Sequence, residues 1–291
     1  MFKLIINNSM LKIVNFDIND IPDLITLSES VGWDYDIDEI QTILKSGTAY
    51  GHRNQFGEVV SSAAIIKYGS SLATIGMVIV HPDYRGLGLG KTVTQVCLDS
   101  VLNTQTVMLV ATEDGRPMYE KMGFVAIDYI HKYICNNYQP LLLEDNVSFT
   151  IEKIESSWMP KIIELDKFAF GEDRTSFLTL RIAQSKEALA VRNSLGEIVG
   201  FGLSIVTPTN LILGPIVAPD SEVASHLIHR LAGYYQEKLR IDVPSGNAKF
   251  ISYIESCGFV KVNQPPIMIK NADQLPIRNE TLYGIAAQIF G

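Results

Sequence analysis

The chain has 291 residues, of which 47% are hydrophobic and 19% charged, so it can form two domains with cores of their own and is not an intrinsically disordered protein. Its formal net charge of −8 argues against nucleic acid or an anionic membrane as a general partner. No apolar run approaches the roughly 18 residues of a membrane span.

The start of the chain and its cysteines bear on where the protein works. The first ten residues, MFKLIINNSM, hold too short an apolar stretch for a secretion signal. Met10 is an alternative start, because patterned sequence begins at Leu11. The three cysteines are odd in number, widely spread and without metal-ligand spacing. They predict reduced thiols, a cytoplasmic location and no bound metal.

The first half of the chain predicts an α/β layer fold with antiparallel and parallel parts. Alternating apolar residues predict strands, and apolar residues three or four positions apart predict helices. Asp20 is a candidate cap for the first helix, with Pro22 in its first turn. The predicted strands are residues 11–16, 48–52, 59–67, 72–80, 107–110 and 125–134, and the predicted helices are residues 21–31, 37–45, 89–101 and 115–122.

The second half repeats this order of elements after a linker that contains Pro140. The sequence therefore predicts two tandem domains, residues 1–135 and 147–291, joined by residues 136–146, with a structural repeat of roughly 130 residues. The predicted strands are residues 147–153, 189–192, 198–207, 211–217, 240–243 and 260–269. The predicted helices are residues 159–168, 176–183, 222–239 and 248–257, followed by a tail of weak helical character over 277–290.

A glycine-rich stretch, VIVHPDYRGLGLGK, follows the fourth predicted strand. A Rossmann fingerprint that starts at Gly86 fails, because Lys91 stands where its third glycine belongs. A P-loop misses by one residue, because Arg85 stands where its first glycine belongs. A third pattern fits without exceptions: Arg85-Gly86-Leu87-Gly88-Leu89-Gly90 matches R-x-x-G-x-G after a Val-x-Val-x-Pro strand. A plain glycine-rich turn is the alternative.

This pattern resembles the signature of the GNAT superfamily of acetyl-CoA-dependent N-acyltransferases. A diphosphate bound there would face free N–H groups at the start of a helix, and glycines would let the main chain approach closely. The resemblance implies that acetyl-CoA is the co-substrate. It implies that the main chain of Val78, Ile79 and Val80 contacts the pantetheine arm, and that the pyrophosphate binding site is formed by Arg85, Gly86, Leu87, Gly88, Leu89, Gly90 and Lys91.

A second block, RPMYEKMGFV, resembles the helix-turn-strand ending of GNAT domains. The resemblance implies that Tyr119 is the general acid, and a core aromatic with a bonded hydroxyl is the alternative. Thr112 stands where many members have an asparagine, which removes one expected pantetheine contact. The general base is open between Glu113, His81 and an ordered water.

The second half keeps the framework of the first but not its binding residues. The stretch LILGPIVAPDSEVASHLIHRL has no arginine or glycine between Pro215 and the next helix, and Ile254 replaces the tyrosine in ISYIESCGFV. We therefore predict two tandem GNAT-like domains of α/β (α+β) class, each a mixed central sheet flanked by helices. Only the first is expected to bind acetyl-CoA.

Two further stretches, SVGWDYD and FAFGEDRTSFL, resemble motifs of a bacterial group of tandem GNAT proteins. The resemblance implies that Asp173 and Arg174 contact the substrate, with Trp33 and Tyr35 as an aromatic wall. The alternatives are that Asp173 and Arg174 cap and charge-pair at a helix start, and that Trp33 belongs to the core.

The predicted function is transfer of an acetyl group from acetyl-CoA to a primary amine by direct attack. A non-catalytic acyl-CoA-binding or regulatory protein is the alternative, and a nucleotide-hydrolysing enzyme is a more distant one. The acceptor is a small-molecule or peptide amine whose identity stays open, because acceptor pockets in this fold come from variable loops. The protein is expected to be a monomer or homodimer.

Overall fold

The computed structural model describes residues 11–143, 148–233 and 235–291. Met10, residues 144–146 of the predicted linker and residue 147, where the second domain was predicted to begin, lie outside the described residues. No helix in the described part of the chain is long and apolar enough to cross a membrane.

The structure contains the predicted order of elements twice and adds two strands at the end. The strands are β1 (Lys12–Phe16), β2 (Gly47–Arg53), β3 (Val59–Tyr68), β4 (Leu72–Val80), β5 (Thr106–Val110), β6 (Val125–Cys135), β7 (Phe149–Lys153), β8 (Glu187–Asn193), β9 (Ile198–Val206), β10 (Leu211–Val217), β11 (Leu239–Pro244), β12 (Val260–Asn263), β13 (Pro266–Lys270) and β14 (Leu282–Gly284). The helices are α1 (Ile21–Glu29), α2 (Ile37–Ser46), α3 (Leu89–Asp99), α4 (Arg116–Lys121), α5 (Met159–Phe170), α6 (Thr175–Gln184), α7 (Ser221–Ala232) and α8 (Ala248–Ser256).

Several predicted boundaries in the second half were wrong, each for a local reason. The helix predicted over 222–239 ends at Ala232, because Gly233 takes a positive φ of 44° that ends a right-handed helix. The strand predicted over 260–269 is two strands, because Pro265 and Pro266 interrupt the ladder. The tail predicted to be weakly helical contains β14 instead.

The predicted cap of the first helix also differs. A short 3-10 helix precedes α1, and it is Asp17 whose side chain accepts the N–H of Asn19 at 2.8 Å. The Asp20 carboxylate instead accepts the N–H of Asp17 at 2.7 Å and pairs with Arg53. The two aspartates thus form a capping box one turn earlier than predicted.

The strands form one continuous sheet in which the halves exchange strands. Its order is β1-β2-β3-β4-β5-β13-β6-β11-β10-β9-β8-β7, with β12 paired to β6 and β14 to β10. β13, from the second half, lies between β5 and β6, where Met268 faces Leu109 on one side and Ala126 on the other. β6, from the first half, extends beside β11 of the second, with Lys132 facing Asp242.

Three apolar clusters cover this sheet. One packs α3 and α4 against the first half, and one packs α7 and α8 against the second. The largest lies on the opposite face and joins α1 and α2 to α5 and α6, together with the last residues of the chain. The halves therefore share their main core.

Polar contacts across this shared core also join the halves. Arg181 on α6 is fully buried and pairs with Glu39 on α2. Two further hydrogen bonds join the halves: the Thr209 hydroxyl donates to Asp34, and the Ser71 hydroxyl donates to Glu172. In each of these two contacts, the loop between the first two helices of one half meets a strand hairpin of the other.

The strand exchange predicts that the halves do not fold separately. A chain that ends at residue 143 lacks β13 and leaves the second part of β6 unpaired, so we expect it to be unfolded or aggregated when expressed alone. Co-expression of residues 11–143 with 148–291 should restore native circular dichroism. A first half that folds by itself with a cooperative thermal transition would contradict the prediction.

Candidate functional site

The strand that leads into the glycine-rich loop carries a bulge near its end. Ala64 of β3 faces Gly76, but Ser62 faces Ile79, so Met77 and Val78 together face a single residue. Met77 has a φ of 50°, and its carbonyl accepts the Ser62 hydroxyl at 2.7 Å. A bulge leaves an extra residue out of the ladder, which makes main-chain groups available to a ligand.

The two parallel strands beside the bulge separate at the same level. β4 pairs with β5 from Leu72 and Thr106 to Ile75 and Leu109, and the ladder stops there. Past this point β4 carries the predicted pantetheine contacts Val78, Ile79 and Val80, and β5 leads toward α4. The arrangement opens a gap between the strands next to the bulge.

The glycine-rich loop connects this gap to the start of α3. Gly86 and Gly88 have φ values of 79° and 78°, which side chains rarely adopt. A Cβ on either glycine would point into space with no protein atom within 4 Å. Their conformation therefore requires glycine, and their main chain is uncovered.

The first turn of α3 has the properties of an anion site. Gly88 occupies the N-cap position without a side-chain cap, and the first N–H bonded back in the described chain is that of Thr92, to the Gly88 carbonyl at 3.0 Å. Arg85 and Lys91 are exposed at the two ends of the loop. Uncapped N–H groups, the helix dipole and two cations favour a phosphate ligand.

Tyr119 lies on α4 with its ring buried. It is 7% exposed and packs on Phe124 with ring centroids 5.9 Å apart. Gly115 makes room for it, since a Cβ there would lie 3.1 Å from the Tyr119 ring. Burial raises the pKa of Tyr119 above the ordinary tyrosine value, and the Cys97 thiol adds to the shift. The phenol is therefore protonated at neutral pH, as a proton donor must be.

The other titratable groups nearby differ in exposure. Burial raises the pKa of Cys97 to about 12, so this thiol is not a thiolate nucleophile at neutral pH. Glu113 is exposed, and the His81 ring is half-exposed, with Nδ1 accepting the Asp83 N–H at 3.3 Å. Thr112 caps the turn before α4 by accepting the Gly115 N–H at 3.1 Å. Within the described residues, no group of three or more His, Cys, Asp or Glu could hold a metal ion.

Trp33 and Tyr35 lie on the sheet face opposite α3. Their ring centroids are 6.1 Å apart, and both rings are partly buried against the shared core, which also contains Met77 and Ile79 of β4. Burial, with Glu39 nearby, raises the pKa of Tyr35. The aromatic pair is thus attached to the same core as the bulged strand.

Asp173 and Arg174 make contacts within the protein. The Asp173 carboxylate accepts the Thr175 N–H at 2.9 Å and hydroxyl at 2.7 Å, which lowers its pKa. Arg174 is 3% exposed, pairs with Asp166 at 2.7 and 2.9 Å, and donates to the Gly291 carbonyl at 2.9 Å. These contacts match the helix-start alternative, so we do not include either residue in the proposed site.

The equivalent region of the second half differs in two ways. The start of α7 is capped by Asp220, whose carboxylate accepts the Val223 N–H at 2.9 Å and would repel a phosphate. β14 runs along β10 where β10 leaves β11, and Asn247 donates to the Leu282 carbonyl at 3.2 Å. The chain itself therefore fills the gap that stays open in the first half.

Two features beside the site were not predicted from the sequence. Ile289 lies directly against Gly76, one residue before the bulged Met77. The glycine within β4 was an available signal, because a glycine inside a strand often marks a bulge or a close approach of main chain. The buried pair of Arg181 and Glu39 had no comparable signal in the sequence.

Two family models match the chain, one in each half. A model described as an acetyltransferase (GNAT) domain matches residues 38–132, and a second with the same description matches residues 162–284. The first match contains the bulged strand, the glycine-rich loop and Tyr119. The second contains the capped helix α7 and the whole of β14.

Individual proteins resemble the chain over most of its length. The uncharacterized N-acetyltransferase YitH of Bacillus subtilis is 35% identical over 269 residues, covering 92% of this chain and 94% of YitH. A solved structure from Pyrococcus horikoshii, described as a proposed acetyltransferase, has a TM-score of 0.79 at 20% identity, with 100% and 99% of the two chains covered. A tandem GNAT protein from the clavulanic acid biosynthesis pathway has a TM-score of 0.66 at 15% identity, with 91% and 100% covered.

The buried contacts of Arg174 predict that it acts on stability. Arg174→Met leaves Asp166 without its partner inside the core, so we expect the free energy of unfolding to fall by about 3–5 kcal/mol in urea denaturation. Lys161→Met, which breaks the exposed pair with Glu164, is the control and should change little. An Arg174→Met protein of unchanged stability but weaker acceptor binding would instead support a substrate contact.

Proposed function

The chain belongs to the GNAT family of N-acetyltransferases and is an acyltransferase with two GNAT domains, and from this premise we propose that its first half alone binds acetyl-CoA and supplies the reacting groups. GNAT domains use acetyl-CoA as co-substrate and act on amine acceptors. The observation that carries the proposal is the uncapped, uncovered start of α3 beside the bulge of β4. The division into residues 1–135, a linker over 136–146 and residues 147–291 stays a prediction.

We propose that the loop from Arg85 to Lys91 holds the pyrophosphate of coenzyme A. The main-chain N–H groups of Gly86, Leu87, Gly88, Leu89 and Gly90 would donate to the phosphate oxygens, and the two cations would add charge at the edges. The pantetheine arm would then lie in the gap between β4 and β5, along the main chain of Val78, Ile79 and Val80. That course brings the thioester to the level of the bulge.

The reaction proposed is direct attack of a primary amine on the thioester. The amine nitrogen forms a bond to the acetyl carbonyl carbon, the carbon–sulfur bond breaks, and the electron pair leaves with sulfur. Tyr119 donates its proton to the departing thiolate, and the attacking nitrogen loses a proton to Glu113, His81 or a water. A main-chain N–H of the bulged strand stabilises the oxyanion. No covalent enzyme intermediate is needed, in agreement with the buried, protonated thiol of Cys97.

We also propose that the protein works in the cytoplasm as a monomer or homodimer. Cys97, Cys135 and Cys257 are all buried and unpaired, which suits a reducing compartment. The acceptor stays open among small amines, amino acids, polyamines, aminoglycosides and peptide amines. A panel of these with a free-thiol readout would identify its class.

The phosphate site is tested by replacing one glycine of the loop. Gly88→Glu puts a side chain and a negative charge at the start of α3, so we expect calorimetry to detect no binding of coenzyme A. Gly57→Glu is the matched control, because Gly57 has a similar φ of 86° and equally open surroundings in the turn between β2 and β3. Circular dichroism should show both variants folded. Persistent binding by a folded Gly88→Glu protein would overturn the phosphate assignment.

The acid role is tested by removing one hydroxyl. Tyr119→Phe keeps the buried ring but not the proton, so kcat should fall by about 10²- to 10⁴-fold while the affinity for coenzyme A stays near that of the wild type. Tyr133→Phe removes another buried hydroxyl, one bonded to Glu255 at 3.1 Å, and should leave kcat unchanged. Equal losses of turnover and affinity in Tyr119→Phe would indicate a structural tyrosine.

A further inference from the structure

The end of the chain crosses from the second half to the first. Residues 285–291, which we call the crossing segment, follow β14 and are buried except for Gln288, which is half-buried. The segment begins beside β11, where the Ile285 N–H donates to the Asp242 carbonyl at 2.9 Å. At its other end Gly291 lies against Met108 of β5. The crossing segment thus runs from the gap between β10 and β11, which β14 fills, to β5, which borders the open gap of the first half.

Side chains from both halves fix the main chain of the crossing segment. Arg181 donates to the Ala286 carbonyl at 3.0 Å. The Phe290 carbonyl accepts both the Tyr68 hydroxyl of β3 and the Arg174 guanidinium, each at 3.2 Å. These are buried hydrogen bonds, two of them from charged donors, so a shift of the segment would leave several polar groups unsatisfied.

Aromatic packing adds to this anchoring. The Phe290 ring stacks on Phe177 of α6 with centroids 4.4 Å apart and an angle of 29°. The Arg181 guanidinium also lies near this ring, 5.3 Å from the Phe290 centroid. The crossing segment is therefore held in place independently of β4.

One side chain of the crossing segment, that of Ile289, packs directly against β4. A Cβ at Gly76 would lie 2.5 Å from Ile289 Cγ1 and 2.6 Å from Ile289 Cβ. Ile289 thus covers the bare main chain of β4 at the residue immediately before the bulge. Ile289 and the bulged Met77 both belong to the shared core rather than to the cluster under α3.

The bulge is the part of β4 that needs such support. A positive φ at a non-glycine residue such as Met77 is unfavourable, and it persists only where the surrounding structure imposes it. The Ser62 hydroxyl holds the Met77 carbonyl, and Ile289 supports the preceding residue. Without either contact, β4 could relax toward a regular strand and withdraw its main-chain groups from the thioester.

We propose that Ile289 is a positioning residue, which holds the β4 bulge in the geometry that presents its main chain to the acetyl group. The proposal rests on the proposed function, in which the first half binds acetyl-CoA along β4. It gives the second half an indirect part in the reaction, because the half without a proposed cofactor site sets, through Ile289, the geometry of β4 in the half that has one.

The test uses a pair of variants that should compensate each other in the full chain. Gly76→Ala places a methyl group against Ile289, and Ile289→Gly removes the support. We expect each alone to lower kcat by about tenfold or more, as small misplacements of reacting groups do. In the double variant the new methyl carbon faces only the Cα of residue 289, at 3.0 Å. It partly replaces the missing side chain, so much of the lost kcat should be recovered. The affinity for coenzyme A should change little in all three.

A matched control separates positioning from general destabilisation. Gly202→Ala on β9 creates milder crowding inside the second half, with Leu231 Cδ1 at 2.9 Å and Ile216 Cδ1 at 3.0 Å, both at the ends of flexible side chains. It should lower the melting temperature without changing kcat of the folded protein. A Gly202→Ala protein that loses turnover as Gly76→Ala does would overturn the proposal.

Hydrogen exchange gives a readout that does not depend on catalysis. Amides of residues 76–80 should exchange at least about tenfold faster in Ile289→Gly than in the wild type, and should be unaffected by Gly202→Ala. Unchanged exchange would overturn the proposal even if acetyl transfer is established. Faster exchange with unchanged kcat would show that the bulge position does not limit the reaction, which also overturns it. Failure of the wild type to bind coenzyme A would instead refute the proposed function.

Discussion

Main-chain hydrogen bonds from the second half close the sheet of the first, because β13 lies between β5 and β6. The reciprocal contact, β6 beside β11, closes the sheet of the second half. Neither strand can leave without exposing the edges of two others, which costs unpaired N–H and C=O groups on both. The shared core, the buried pair of Arg181 and Glu39 and the crossing segment are all built on this exchange. β5, on one side of the open gap, is thus paired on its other edge with a strand of the second half.

The two halves have the same order of elements but differ where the first has its candidate site. In the first, Gly88 leaves the start of α3 uncapped, and β4 separates from β5 with no strand of the described chain between them. In the second, Asp220 caps α7 and β14 occupies the equivalent gap. A carboxylate at a helix N-terminus stabilises the helix, as a bound phosphate would. The second half thus satisfies, with its own residues, the main-chain groups at the helix start and along the strand edge that the first half leaves available for a ligand.

Local patterns in the sequence were sufficient to predict the order of helices and strands and to identify the glycine-rich loop. Periodicity and glycine spacing are properties of short stretches, so they can be recognised without the tertiary structure. The exchange of strands between the halves could not be predicted in this way, because it depends on which distant strands pair. Residues 260–269 have the pattern of one strand, and only Pro265 and Pro266 hint that the run divides between two partners. Arg174 shows the same limit at the site: its motif is local, but its contacts with Asp166 and Gly291 are set by tertiary packing. The contact of Ile289 with Gly76 joins residues far apart in the chain and required the structure.

If the second half has no cofactor site, as we propose, its helix start is free of the constraints that a bound phosphate imposes. The loop before α7 has the capping residue Asp220 at the helix start, where the loop before α3 has Gly88. Both halves nevertheless need β13 and β6, because these strands satisfy main-chain groups in each of them. The crossing segment packs in the shared core between the halves and reaches β4 there. Under our proposal, the second half thus acts on the cofactor site of the first through packing alone, at the contact of Ile289 with Gly76.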